Sequence, residues 1–550
     1  MQADAPSPFA PESDEEKPKE EEKPKAEEKP KTDPQKAATP ATTPASPEMK
    51  VDIEGLSDRI ITLPTPPGNY QGLSAGTGVA YFTNNGTLSQ FSVASKQVTT
   101  IIAGITGYDT NASGTKIIYN APGNTYGIID PSPNQQVGAG KLTLQLEAKV
   151  DPRAEWLNMF NEAWRQERDF YYDPNMKGLD WKALGERYRK LVPSVAHRDD
   201  LFYLLGEMIG ELNTSHAYIE PNEAPPGPQV NVGLLGVDYE EANGFYRFKK
   251  IYKGENWDAG RRSPLREPGI NVKEGDYLIA VNGKPVTTSQ EPYALFENTA
   301  DKAVVLKVNS KPSPDGAREV TVRPITTEDT IRYADWVDTN RQKVEKAFGG
   351  RVGYIHVPDT AQGGITEFGK AFYSLLDKDA LIIDERFNSG GFIPDFFVEK
   401  LDRKLQSIAS PRYGADFKSP GAIVTGPKVM LANEWAGSGG DAFPYFFRKA
   451  GVGPIIGKRT WGGLVGINDA FPLMDGGGVT VPQFGIWSPQ DGKWIGENHG
   501  IEPDMEVNNT PDKMLNGFDP QLERAIEYIR EQLKRNPPKK YQHPPFAIEK

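Results

Sequence analysis

Apolar positions along this chain follow different periods in successive stretches, and each period implies a different architecture. Over residues 51–144, short β-branched and aromatic runs at 59–63, 78–82, 88–93, 99–102, 116–119 and 125–129 alternate with Gly, Asn and Pro. Strands about ten residues apart with turn signals between them predict a sandwich or propeller blades. At roughly four strands per blade this is about two blades, too few to close a propeller. Over 152–219 the period becomes helical: Trp156, Phe160, Ala163 and Trp164 share one face, and Leu201, Leu204, Leu205 and Met208 another. From 231 to about 324 strands return, among them 232–237 and a run over 275–281 that enters an Asn282-Gly283 turn. From about 350 strand-like and helical runs alternate: 352–357, the helical 365–376, 380–384, the helical 394–405, the strand 428–432, a helix after Ser438 and a strand at 453–457. Such alternation predicts an α/β layer whose functional loops lie at strand ends.

Composition narrows this picture. A chain of 550 residues predicts about three or four domains. The first 49 residues repeat Glu-Glu-Lys-Pro-Lys at 15–19, 21–25 and 27–31 and then turn Ala/Thr/Pro-rich, which predicts a disordered, partly extended linker. A linker placed first, ahead of too few blades, points to an absent upstream part. The net charge of -12 argues against a general nucleic-acid binder, which needs a basic surface. Without cysteine the chain has no disulfide, thiolate nucleophile or cysteine-ligated metal. No apolar run approaches the ~20 residues of a membrane helix, and no secretory signal is visible at the N-terminus. The expected compartment is the cytoplasm, or the periplasm if a signal peptide lies upstream.

Chemistry concentrates at two strand ends and one helix end. Asn433-Glu434-Trp435-Ala436-Gly437-Ser438-Gly439-Gly440-Asp441 follows an apolar strand and enters a helix. A glycine-flanked serine at such a turn is held out as a nucleophile, beside backbone N–H groups and a positive helix end. The strand 380–384 runs into Glu385-Arg386-Phe387-Asn388-Ser389-Gly390-Gly391. Glycines there let the backbone approach a ligand, so the N–H groups of Gly391 and Gly439 are the expected oxyanion hole. His216, in Asn213-Thr214-Ser215-His216-Ala217-Tyr218, is the best candidate base. His356 lies in a strand-like run, His197 and His543 in polar surroundings and His499 in a loop.

The segment from Pro268-Gly269-Ile270 through Gly275 to Gly283 resembles a PDZ domain, whose early glycine-containing loop would offer N–H groups to a peptide carboxylate. In order, the 213–218 motif, this segment, the 386–391 motif and the 433–441 motif resemble the C-terminal half of the tricorn protease family. Residues 51–144 resemble the end of that family's propeller. The fold class expected is multidomain α+β: a linker at 1–50, propeller end at 51–145, a helical part of the catalytic core at 146–228, a PDZ domain at 229–328 and an α/β core of the crotonase/Clp-like kind at 329–550.

The resemblance implies a serine peptidase acting on short unfolded peptides, with no metal or organic cofactor, in a homo-hexamer enclosing a chamber. By motif Ser438 matches the nucleophile and His216 the general base. Ser215 and Glu497, the latter in Gly496-Glu497-Asn498-His499-Gly500, match the groups that complete the tetrad. Two departures stand out. Gly439 replaces an expected acidic residue, and 407–411 carries no carboxylate to select basic side chains, leaving Asp395 and Asp416 as the nearest alternatives. One rival is a C-terminal processing peptidase using a serine–lysine pair. The position matching its lysine is Gly463; Lys458 lies upstream, and Arg459 keeps its proton. A second rival is a non-catalytic peptide-binding scaffold.

Overall fold

The computed structural model describes residues 53–55, 57, 60, 62, 63, 65–147, 149–222, 229–468, 470–539 and 541–545. The expected linker up to residue 50, residues 59 and 61 of the run 59–63, and most of the proline-rich 221–228 lie outside them. The chain forms two compact units, 1–149 and 150–550. Among the described residues no helix is long and apolar enough to cross a membrane.

The first unit contains two antiparallel meanders. Strands Tyr70–Gly76, Val79–Asn84, Thr87–Ser92 and Gln97–Ala103 pair in sequence order, and Gly107–Thr110, Ile117–Ala121 and Thr125–Ile129 form a second sheet. Asn85 and Gly86 both take positive φ, 48° and 73°, the turn that joins twisted neighbouring strands. Leu88, Ile101, Ile102, Ile117 and Tyr119 fill its core. Tyr70–Gly76 was not expected as a strand; its residues are mostly exposed and carry little apolar signal.

The second unit begins with helices whose starts are written in the sequence. Asp151 and Asp180 each accept hydrogen bonds from the first turn of the following helix, Pro152–Phe170 and Trp181–Arg189. Helix Arg198–Gly210 follows, and the expected apolar faces of these helices meet in one core. The chain then turns through His216 into the strand Tyr218–Glu220, which pairs with Gly478–Thr480.

The PDZ-like sheet pairs Val237–Ala242, Phe245–Ile251, Tyr277–Val281, Val304–Asn309 and Arg318–Val322 antiparallel, with Val237–Ala242 at one edge. Asn282 and Gly283 form the expected turn at φ 49° and 79°. One expectation fails. The loop amides of Gly236 and Val237 are already engaged, donating to Glu328 Oε1 at 2.7 and 3.3 Å. Arg332 donates to Glu328 Oε2 at 2.8 Å through Nε and also binds Asp238. Glu328 immediately precedes the long helix Asp329–Phe348, so a carboxylate of this chain fills the anion position of the loop.

The core is a five-stranded parallel sheet ordered Val352–His356, Ala380–Asp384, Lys428–Ala432, Ile455–Gly457, Met505–Glu506. The first four strands are buried along their length, as a sheet covered on both faces requires. Alternate residues serve alternate faces. Leu381, Ile383 and Met430 pack with Phe368, Phe397 and Phe443 of the helices Gln362–Ser374, Pro394–Leu401 and Gly439–Lys449. Ile382, Val429 and Leu431 pack with Val344 and with Leu522, Ile526 and Ile529 of Pro520–Arg535.

Candidate active site

The strand Lys428–Ala432 delivers Ser438 to a turn with φ 59° and ψ −117°. A positive φ at a non-glycine residue costs roughly 1–3 kcal/mol and marks a held conformation. Part of what holds it is Asp441, whose carboxylate accepts the Ser438 N–H at 2.8 Å.

The neighbouring strand Ala380–Asp384 delivers the glycine loop. Its root is Arg386, fully enclosed and paired with Asp384 at 2.6 Å and Asp519 at 2.9 Å. Asn388 accepts the Gly437 N–H on its carbonyl at 3.1 Å and the Gly390 N–H on its side chain at 2.9 Å, which lays this loop over the serine turn. Gly390 and Gly391 have φ 95° and 133°. A Cβ on Gly390 would lie 2.8 Å from Ser438 Cβ, and one on Gly439 2.8 Å from the Gly391 nitrogen. The two expected oxyanion donors are therefore neighbours. Among the described residues neither the Gly391 nor the Gly439 N–H has an acceptor within the protein.

Ser215 and His216 come from the helical part, 282 residues from Glu497 along the chain in the case of Ser215. Ser215 donates its N–H to Glu497 Oε1 at 2.8 Å and its hydroxyl to Oε2 at 2.9 Å. Leu464 N–H donates to Oε2 as well, at 2.8 Å. His216 is half-buried at φ 58°, and its Nδ1 lies 3.2 Å from the Tyr218 hydroxyl. Thr480 fixes its backbone by donating to the His216 carbonyl at 2.8 Å. Burial holds its imidazole below the ordinary range, opposed by the Glu497 charge.

Trp461 joins His216 to the turn that carries Ser438. Its ring meets His216 edge-on at 5.7 Å between centroids, its backbone N–H donates to Ala436 O at 2.8 Å, and a Cβ on Gly437 would reach 2.6 Å from its ring. Ala436 and Gly437 directly precede Ser438. The six predicted residues thus fall into two pairs and two linked members: Ser438 beside Gly390 and Gly439 beside Gly391, Ser215 on Glu497, and His216 next to Ser215.

The alternatives fare differently. Lys458 is paired with Glu506 at 2.8 Å, which raises its pKa and keeps it protonated. Gly463 has no space for a side chain, since a Cβ would lie 2.1 Å from the Trp461 ring. His499 is exposed beside Glu502 at 3.4 Å, His197 caps a helix, and buried His356 bonds Tyr333 and the Arg386 carbonyl. The 407–411 segment enters a small hairpin, Ser407–Ala409 against Phe417–Ser419, with Asp416 exposed in it; Asp395 is exposed in the first turn of Pro394–Leu401.

Sequence reasoning assigned no role to Tyr218, Asp441 or Trp461. Tyr218 is two residues from His216 at the start of a strand, and Asp441 three from Ser438 at helix-cap spacing, so both signals were present. Trp461 acts across a long sequence separation and left none.

Comparison with known proteins gives a consistent picture. Residues 152–210 match the tricorn protease C1 domain, 233–327 the tricorn protease PDZ domain and 351–507 peptidase family S41. Tricorn protease homolog 1 of Streptomyces coelicolor is 34% identical over 547 residues, covering 92% of this chain and 50% of that one. A Sulfurisphaera tokodaii protein described as a tricorn-like protease C-terminal subunit is 33% identical, covering 88% of this chain and 58% of that one. The crystal structure of the tricorn protease superposes with a TM-score of 0.76 at 29% identity, over 86% of this chain and 47% of that one. The chain thus spans about half the length of the relatives it matches.

Proposed function

On the premise that this chain belongs to the tricorn protease family, we propose that it is a serine peptidase that hydrolyses short unfolded peptides. The observation that carries the reading is Ser438 on its strained turn with two acceptor-free N–H groups, of Gly391 and Gly439, beside it.

In this reading neutral His216 takes the proton of the Ser438 hydroxyl as its oxygen adds to the scissile carbonyl. The Gly391 and Gly439 N–H groups stabilise the oxyanion, and the imidazolium returns its proton to the leaving amine. Water then repeats the sequence on the acyl-enzyme. Ser215 and Glu497 supply a fixed negative charge next to the imidazolium; that charge already opposes the effect of burial on His216. The ion pair of Lys458 weighs against a serine–lysine mechanism.

Family likeness supports a homo-hexamer with an enclosed chamber acting in the cytoplasm on fragments from an upstream protease. The likeness to a C-terminal subunit supports action together with an upstream part. Lack of a carboxylate in 407–411 favours apolar over basic side chains before the scissile bond, because a desolvated cation would have no partner there. The test is Ser438→Ala, with His216→Ala and Lys458→Ala alongside. Ser438→Ala is expected to lose activity on the order of 10⁴-fold or more with unchanged thermal unfolding. Retained turnover removes Ser438 from the mechanism, and loss in Lys458→Ala but not His216→Ala selects the rival.

A further inference from the structure

Next to Ser438 lies a buried carboxylate that the mechanism does not use. Asp441 is fully enclosed. Its Oδ2 accepts the N–H groups of Ser438 at 2.8 Å and Gly463 at 3.0 Å. Its Oδ1 accepts the Gly462 N–H at 2.8 Å and the Thr460 hydroxyl. Thr460 in turn accepts the Ile501 N–H at 2.8 Å. Four donors, two on each oxygen, match an ionised carboxylate, which only accepts.

These bonds join the serine turn to the segment 460–464, which carries the His216 contact. Trp461 lies between two Asp441 partners and meets the histidine ring, while Leu464, one residue past Gly463, donates to Glu497. One end of this five-residue segment is therefore clamped to the nucleophile's turn and the other to the Ser215–Glu497 pair. We propose that Asp441 is a positioning residue that fixes His216 relative to Ser438, acting through Thr460–Gly463 and the Trp461 ring. The inference rests on the serine peptidase reading for its effect on turnover, but not for its effect on His216.

The buried Glu385 carboxyl feels the Asp441 charge; among the described residues neither of its carboxylate oxygens has a hydrogen-bond partner, and burial, with the charges of Asp441 and Asp384 added, pushes it well above the usual range. An amide at 441 would keep one acceptor oxygen and turn an NH₂ toward two of the four donors, opening the clamp with little change of volume.

The experiment uses the full chain and the variants Asp441→Asn, Thr460→Val and Thr460→Ser. Displacement on the 1 Å scale costs up to ~100-fold in rate, so Asp441→Asn is expected to lower kcat by about that factor while KM moves by less than about threefold. Thr460→Val falls in the same direction, and Thr460→Ser, which retains the hydroxyl, is rescued. Independently of turnover, the His216 imidazole, followed by NMR with carbon-13 label, should titrate closer to its ordinary value of 6.5 in Asp441→Asn as the Trp461 contact loosens. Variants that unfold more easily but keep kcat and the His216 titration would overturn the proposal. A wild-type chain that never cleaves peptides yet shows the His216 shift would overturn the peptidase reading and support the placement of the histidine by Asp441.

Discussion

At the scale of single residues, glycine at 439 is dictated by what surrounds it. A Cβ there would lie 1.9 Å from Thr360 Oγ1, 2.4 Å from Gly391 O and 2.8 Å from Gly391 N. The acidic residue expected from the family pattern therefore has no room, and the departure reflects close packing of Gly439 against Gly391, the other expected oxyanion donor. Gly439→Ala is expected to push Gly391 aside and lower kcat on the order of 10²–10³-fold, as removal of one oxyanion donor does; steady-state kinetics at unchanged KM checks it. His216 gives a pH signature. Burial disfavours its charged form, so it stays neutral as the pH falls through 6.5, and in the proposed mechanism the neutral imidazole is the base. The acid limb of kcat/KM should lie below 6.5 and move lower still in Glu497→Gln, which removes the opposing charge. A limb at or above that value would place the titrating group elsewhere.

At the scale of elements, the helix Pro152–Phe170 carries a cost within its core. Both Glu167 carboxylate oxygens are buried without a partner among the described residues, and burial pushes the carboxyl up to about 8 from 4.5. The folded chain therefore binds a proton that the unfolded chain releases between those values, and stability declines as the pH rises through that window. Glu167→Gln should stabilise the second unit by about 1–3 kcal/mol at pH 7 and by little at pH 4.5, read from chemical denaturation at both. Other elements show what the sequence could convey. Strands 380–384 and 428–432 were legible because doubly covered strands are apolar throughout. Helix Asp329–Phe348 escaped notice because only Ile331, Asn340 and Val344 are buried along its 20 residues. Helix Pro520–Arg535 was readable from Leu522, Ala525, Ile526 and Ile529 at helical spacing after the Asp519 cap, but the alternation of strands drew the reading elsewhere. Ser438, His216 and the glycine pair were visible as local motifs. The clamp of Asp441 on 460–463 was not, because two of its three donors there are backbone N–H groups, which leave no mark on side-chain identity.

At the scale of the whole second unit, the PDZ-like sheet and the catalytic sheet share a joint at Glu328. The acid sits on the amides of Gly236 and Val237, is held by Arg332, and opens the helix that packs on the strand Val352–His356. Competition then decides what this loop can bind. A carboxylate carried by the same chain acts at an effective concentration of ~mM or above, so a free peptide terminus at micromolar level is outcompeted. Amidated and free-acid forms of one peptide should bind the full chain with equal affinity by calorimetry, and a preference for the free acid should emerge only in Glu328→Ala. Peptide selection by this sheet would then rest on extended backbone along the edge strand Val237–Ala242, which makes it indifferent to whether a substrate's end is native or newly cut.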